Sequence, residues 1–375
     1  MRKLLLILAI SVAIAVLYRA EARAAPLQTG SAGPLQSDFI HSRGRPDSAM
    51  IVDWHVHWLP PDLADALRAR AQPPRIVGGP EGERLDVHRE VLPVTPALFE
   101  SGARLEFMDR HGVSRQVLSL PGLFGIDSLP ADEAAPLVRR FNDALAGLMA
   151  DLPDRFSGLA ALPLADPAAA VEELARAMDI TGFVGAILPA DAFLTRREAE
   201  AWAPLLEAAN ARRAHVFIHP GPVPPGGAGP PPDIGDNTNL RHIVLDVQAR
   251  LSAVTVTLTL TDFLDAFPEI TVQVANLGGS VPMMVERMDH VSSRRTPDAP
   301  LPSSRMGRIY VDTSSFGPRA IALAAGTFGA ERVLLGTDHP IFDTARTLEA
   351  VRSSGLPEAD IAGILGDNGS ALLHR

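Results

Sequence analysis

Two histidines one residue apart, His55 and His57, lie in the run Ile51-Val52-Asp53-Trp54-His55-Val56-His57-Trp58-Leu59-Pro60. In an extended strand alternate side chains share a face, and Cα atoms two residues apart are about 6.6 Å from one another. Two imidazoles at that reach can grip one metal ion; the plainer alternative is a pair of packed histidines. The apolar start and the proline after it describe a buried strand ending in a loop, which is where a metal site belongs in a barrel of parallel strands. Asp53 shares the histidines' parity but lies deeper and reads as buried and structural. Trp54 and Trp58 alternate away from them and read as packing.

The same strand-end rule finds partners for the pair. His215-Val216-Phe217-Ile218-His219-Pro220 ends with His219, and His215 shares its parity but sits about 13 Å lower at strand rise, outside a site at that end. Val333-Leu334-Leu335-Gly336-Thr337-Asp338 ends with Asp338. Three imidazoles and a carboxylate suit one divalent ion, Zn²⁺ first, with Mn²⁺, Fe²⁺ or Co²⁺ as alternatives. A coordination position left open for water or substrate marks catalytic metal. The chain has no cysteine, so thiolate ligands and disulfides are excluded. Its only lysine is Lys3, which excludes Schiff-base chemistry, a P-loop and a carbamylated lysine bridging two ions from residues 25 onward.

Elements that position these residues alternate along the chain. Strand-like runs lie near 50–57, 114–120, 157–163, 182–188, 214–219, 270–276, 309–313 and 332–337. Amphipathic helical stretches lie near 97–111, 131–151, 167–179, 197–212, 241–266, 281–290, 317–328 and 343–354, with a last one near 357–365. Eight such alternations predict an α/β fold of the distorted (β/α)8 TIM-barrel type, spanning residues 49–375. A doubly wound sheet is the runner-up, but no Gly-x-Gly-x-x-Gly follows a strand. Two connections, 58–96 and 220–239, are long enough to build or cover a site. The first carries Arg68, Arg70, Arg75 and Arg84; Arg75 and Arg84 are candidate partners of a substrate carboxylate.

Before the barrel, Arg2 and Lys3 precede an apolar run from Leu4 to Leu17, and Ala22-Arg23-Ala24 resembles a cleavage site. Residues 1–24 therefore read as a secretory signal peptide and 25–48, rich in Gly, Pro and Ser, as a flexible tether. The apolar run is short for an uncleaved membrane anchor, so an exported, periplasmic or secreted protein without stable membrane insertion is expected. The formal net charge is −10, and losing residues 1–24 makes it more negative. An acidic chain argues against nucleic acid or an anionic membrane as a partner.

At this level of detail the chain resembles the amidohydrolase superfamily, in the amidohydrolase-2 branch typified by aminocarboxymuconate semialdehyde decarboxylase. The resemblance rests on Asp53-x-His55-x-His57-x-x-Pro60, Leu105-Glu106-Phe107-Met108-Asp109-Arg110-His111-Gly112-Val113, Phe183-Val184-Gly185-Ala186 and Ile218-His219-Pro220. It continues through Phe267-Pro268, Gly278-Gly279-Ser280-Val281-Pro282 with Arg287, and Gly336-Thr337-Asp338-His339-Pro340, over about residues 50–372. It implies a mononuclear metal held by His55, His57, His219 and Asp338, a small carboxylate substrate, and a homodimer. Relatives of this kind are mostly nonoxidative decarboxylases of unsaturated or aromatic acids, with some hydrolases and hydratases.

Two departures from that pattern bear on the chemistry. The branch ordinarily ends its sixth strand with a histidine before the Gly-Gly pair, where this chain has Asn276. Asn exchanges no proton near neutral pH but can orient water or a substrate oxygen. An asparagine usual after the second strand is replaced by the Leu120-Pro121-Gly122 run. His242, His290 and His339 are candidate substitutes, each more simply structural or at the surface. Arg287 either meets a substrate carboxylate or ties helix to loop, and Asp312 either supports a ligand or caps the next helix. Three readings follow: a metal-dependent carbon–carbon lyase in which Asp338 relays a proton; a hydrolase of a lactone, ester or amide with Asp338 as base; and a noncatalytic ligand-binding barrel.

Overall fold

The computed structural model describes residues 50–374 apart from 80–81, 88–90, 224–234, 239 and 315. The expected signal peptide and tether, and much of the 220–239 connection, lie outside the described residues.

Among the described residues, eight parallel strands form one sheet: β1 (Ile51–His57), β5 (Val113–Ser119), β6 (Phe156–Ala160), β7 (Phe183–Pro189), β8 (His215–His219), β9 (Thr271–Val274), β10 (Tyr310–Asp312) and β11 (Val333–Leu334), in that order. The sheet closes on itself because the chain after β11 runs beside β1. Trp54 N–H donates to the Leu335 carbonyl at 2.8 Å, Asp338 N–H to the His55 carbonyl at 2.7 Å and His57 N–H to the His339 carbonyl at 2.9 Å. Helices follow the strands as their amphipathic patterns predict, among them Ala131–Asp151, Pro167–Met178, Val281–Arg295 and Pro318–Phe328. Their buried faces, such as Leu137, Phe141 and Leu145, pack on the outer face of the barrel and form a core continuous with the strands.

Four details differ from the sequence expectation. The 58–96 connection is not a plain loop. It holds a helix, Pro61–Arg68, then β2 (Arg75–Gly79), β3 (Gly82–Asp86) and β4 (Val91–Pro93) in a small antiparallel sheet. Strands this short carry too little alternation to be read from pattern alone. The sixth barrel strand stops at Val274, before Asn276, and the eighth stops at Leu334, before Asp338. In β1 the pairing with β5 slips between Asp53 and Val56, so one extra residue is accommodated there. Trp54 is thereby turned toward His215, with ring centroids 4.8 Å apart, instead of alternating outward.

The turn after β9 is set by contact with the helix Val247–Leu260. A Cβ on Gly279 would lie 2.5 Å from the Ser252 backbone nitrogen, and its φ is +77°. The Ser280 N–H donates to Ser252 Oγ at 2.8 Å, and Thr255 Oγ1 donates to the Gly278 carbonyl at 3.0 Å. This close approach holds the chain back to Asn276 in left-handed conformations, φ +54° at Asn276 and +55° at Leu277. Gly279→Ala combines a left-handed penalty with overpacking and should lower the unfolding free energy by about 3 kcal/mol, measured by urea denaturation; a change within about 0.5 kcal/mol would show that the turn yields freely.

Candidate metal centre

His55, His57, His219 and Asp338 converge at the C-terminal mouth of the barrel, each offering one ligand atom, and these atoms lie within 4.8 Å of one another. All four are buried. The imidazoles meet edge to face, with centroids 4.8–5.1 Å apart.

The hydrogen bonds behind the rings fix which nitrogen is free. His219 Nδ1 lies 2.9 Å from the Pro220 carbonyl, which can only accept, so Nδ1 carries the hydrogen. Ser119 Oγ donates to the Val56 carbonyl at 3.0 Å and therefore accepts from His57 Nδ1 at 3.1 Å. His55 Nδ1 donates to Asp312 Oδ1 at 3.1 Å. Every Nε2 is left facing the other ligands, and those of His55 and His57 are buried without a hydrogen-bond partner. His57 Nε2 is 3.0 Å from Asp338 Oδ1; with its hydrogen on Nδ1 the neutral ring presents a lone pair there, and the two make no hydrogen bond. Three converging Nε2 atoms beside a carboxylate, each ring braced from behind, fit a divalent cation once His55 gives up its Nε2 proton.

A buried chain supports His55. The Gln273 side-chain amide donates to Asp312 Oδ2 at 2.7 Å, and His215 Nε2 donates to Gln273 Oε1 at 3.0 Å. The backbone N–H groups of Ser314 and Asn276 donate to Asp312 Oδ1 at 3.1 and 3.3 Å. Asp312 thus braces His55, and the next helix begins only at Pro318. Gly336 lets these groups meet: a Cβ there would lie 2.7 Å from His55 Cβ and 2.8 Å from Asp312 Cβ. Asp338 is held by Asp53, whose carboxylate accepts from Thr337 N at 3.0 Å and Thr337 Oγ1 at 2.6 Å. Burial pushes Asp53 up to about 7 against those two bonds. Arg104, buried, donates to the His57 carbonyl at 2.8 Å and to Gln116 Oε1 at 3.1 Å, fastening the end of β1.

Electrostatics separate the four ligands. Burial raises Asp338, but His55, His57 and His219 outweigh it and hold the carboxyl down at about 2. Burial depresses His219 and His57 below the ordinary imidazole value. Burial also lowers His55, yet Asp312 and Asp338 outweigh it and raise it to about 9.

The other sequence candidates are placed as follows. Asn276 adjoins Asp312 through its backbone, and its Oδ1 is buried without a hydrogen-bond partner. Arg287 is exposed on the helix Val281–Arg295, and Arg84 is exposed on β3. Arg75 directs its guanidinium to Asp86 Oδ2 and the Ala71 carbonyl, both at 2.9 Å. His290 is exposed, and His242 lies 2.6 Å from Asp246 Oδ2. His339 is stacked on Phe107 with centroids 3.9 Å apart. Ser119, Gln273 and Arg104 carry no signal in the sequence beyond the position of Ser119 at a strand end.

Beside His219 lies a small, solvent-open cleft, walled by Leu120, Pro121, Ile126, Val138, Leu162, Ile187 and Leu188, with Asp127 among them. The residues that replace the expected asparagine after β5 therefore form an apolar wall.

Two outcomes are expected for metal binding. Asp312→Ala and Gly336→Ala should weaken Mn²⁺ or Zn²⁺ affinity about 10–100-fold, measured by competition with a chelator, because His55 loses its brace; unchanged affinity would deny the brace its role. Because His55 keeps its proton up to about 9 without metal, loading must displace that proton, so affinity should rise from pH 6 toward about 9. Proton release on adding metal at about pH 7, followed in weak buffer, checks the sign; release of none would contradict it.

Comparison with known proteins agrees with this geometry. The amidohydrolase family model matches residues 52–375. A γ-resorcylate decarboxylase of Polaromonas sp. is 29% identical over 284 residues, covering 68% of this chain and 82% of the relative. A solved 2,6-dihydroxybenzoate decarboxylase in complex with 2,6-dihydroxybenzoate superposes with a TM-score of 0.64 at 22% identity, covering 88% of this chain and 100% of the other. A solved dihydroxybenzoic acid decarboxylase from Polaromonas sp., with bound manganese and the inhibitor 2-nitroresorcinol, gives a TM-score of 0.65 at 21% identity, covering 87% and 97%. A barrel closed beside β1, a His-His-His-Asp cluster at its mouth and a family match from the first strand to the last residue lead to one conclusion: this chain belongs to the amidohydrolase family.

Proposed function

We propose that this protein is a metal-dependent, nonoxidative decarboxylase of a small hydroxylated aromatic acid. The observation that carries the reading is the convergence of three Nε2 atoms and Asp338, one of whose members, His219, also lines a cleft of mostly aliphatic side chains. The decarboxylase relatives favour loss of CO₂ over hydrolysis.

His55, His57, His219 and Asp338 would hold one divalent ion, Mn²⁺ as in a solved relative or Zn²⁺ as the nitrogen-rich donor set allows. When bound, such an ion withdraws electrons from the substrate and stabilises the negative charge that CO₂ leaves on carbon. Asp338, strongly ionised and 3.3 Å from Ser314 Oγ, enters as a base. It takes a proton from a substrate hydroxyl and returns it to the carbon as the C–CO₂ bond breaks and the C–H bond forms. Asn276 offers its unpaired Oδ1 to a substrate N–H or O–H and so orients the ring without exchanging a proton. The apolar walls exclude water from the carbon that receives the proton.

The N-terminal 24 residues support export to the periplasm or medium through a cleaved leader, which N-terminal sequencing of the secreted protein would test. The catalytic reading is tested by CO₂ release from 2,6-dihydroxybenzoate and related hydroxybenzoates by Mn²⁺- or Zn²⁺-loaded protein. Asp338→Asn should lower the rate about 10³-fold and Asn276→Ala about 10-fold. Hydrolysis of lactones or esters with no CO₂ release would overturn the proposal in favour of a hydrolase.

A further inference from the structure

The cleft beside His219 is apolar apart from two side chains. One is His219 itself; the other is Asp127, on a single 3-10 turn, Ile126–Ser128, that follows β5. Asp127 Oδ1 is buried and meets no hydrogen-bond donor. Asp127 as a whole keeps part of its surface open. The surrounding loop is shaped to its carboxyl: a Cβ on Gly122 would lie 2.5 Å from Asp127 Oδ2. A buried carboxyl oxygen without a hydrogen-bond partner, in a cleft otherwise lined by aliphatic side chains and His219, is costly to keep. Sites of this kind are apolar surfaces with a few placed polar groups that fix orientation.

We propose that Asp127 is a specificity residue: it hydrogen-bonds a hydroxyl or amino group that the substrate carries in addition to its carboxylate. The inference rests on the aromatic-acid reading above and adds to it the group that the cleft recognises. Only a polar hydrogen satisfies the carboxyl when it is ionised, and a second carboxylate at that point would be repelled. Burial pushes Asp127 up to about 7, so near neutrality it also donates to a substrate oxygen in its protonated form. The ring of the substrate lies against the aliphatic wall in either case. A substrate lacking the extra group leaves the carboxyl unpaired and binds more weakly.

Titration calorimetry of the Mn²⁺-loaded full chain tests this, with benzoate, 3-hydroxybenzoate, 4-hydroxybenzoate, 3-aminobenzoate and 2,6-dihydroxybenzoate as probes. At least one substituted acid should bind the wild type about tenfold or more tightly than benzoate does. Asp127→Leu should bring that ratio to about one while benzoate affinity stays within about threefold. Asp127→Asn, which keeps the shape and an acceptor, should preserve the preference to within about threefold and serves if the leucine variant misfolds by circular dichroism. A preference that survives Asp127→Leu, a wild type that prefers no substituted acid, or equal losses for benzoate and its derivatives in Asp127→Asn overturns the inference alone. Failure of every acid to bind the wild type overturns the aromatic-acid reading as well.

Discussion

Three N–H groups that point away from the site decide what the site can do. Each imidazole of the cluster gives its Nδ1 hydrogen to an acceptor behind it: the Asp312 carboxylate, the Ser119 hydroxyl or the Pro220 carbonyl. A neutral imidazole has one hydrogen, so these bonds choose the tautomer and turn every Nε2 toward the other ligands, that of His55 as a lone pair only after its second proton leaves. Without them, rings in contact would be free to present N–H groups to one another. Much of the barrel mouth serves this arrangement. Gln273, Ser314 and the turn at Asn276 converge on Asp312, while Asp53 and Thr337 hold the segment that bears Asp338.

The same braces account for the uneven charge of the four ligands. Burial alone would neutralise imidazoles and carboxylate alike. Asp312 reverses that effect at His55, whose pKa is raised, whereas His57 and His219, braced by neutral oxygens, remain depressed. The pocket thus holds one ionised carboxylate and one proton-retaining ring before a cation arrives, and a cation replaces that proton in the charge balance. The cleft beside it follows a different rule. Its walls are aliphatic, and its polar groups are few enough that each one, His219 or Asp127, can be assigned to a distinct part of a ligand.

The elements and the ligands were legible in the sequence to different depths. The alternation of apolar runs with amphipathic stretches placed all eight barrel strands close to where they lie, because strands buried on both faces read as continuous apolar runs while one-sided helices keep a period of 3.6. His55, His57, His219 and Asp338 followed from one rule, that barrel strands present chemistry at their C-terminal ends. The rule locates Asp338 but misdescribes its backbone: β11 is only two residues long, and Asp338 sits beyond it with φ +58°. Trp54 shows another limit. Its orientation depends on a register slip against β5, and a slip leaves no mark in the residues of β1 themselves. The small sheet β2–β4 escaped notice because its strands are short and carry many charges, with Arg68 and Glu83 joining it to the preceding helix.

By itself, the sequence determined the ligand types, their assignment to strand ends, the absence of any bridging lysine and the replacement of a histidine by Asn276. These are properties of residue identity and local period, which survive without knowledge of neighbours. Only the tertiary structure decided which nitrogen of each histidine faces the cation, that Asp312 braces His55, and that Asp127 shares a cleft with His219. It also showed Arg84 and Arg287 exposed and Arg75 paired with Asp86. The physical reason is that tautomer, pairing and desolvation depend on groups far apart along the chain: His55 and Asp312 are 257 positions apart and meet only because the barrel closes.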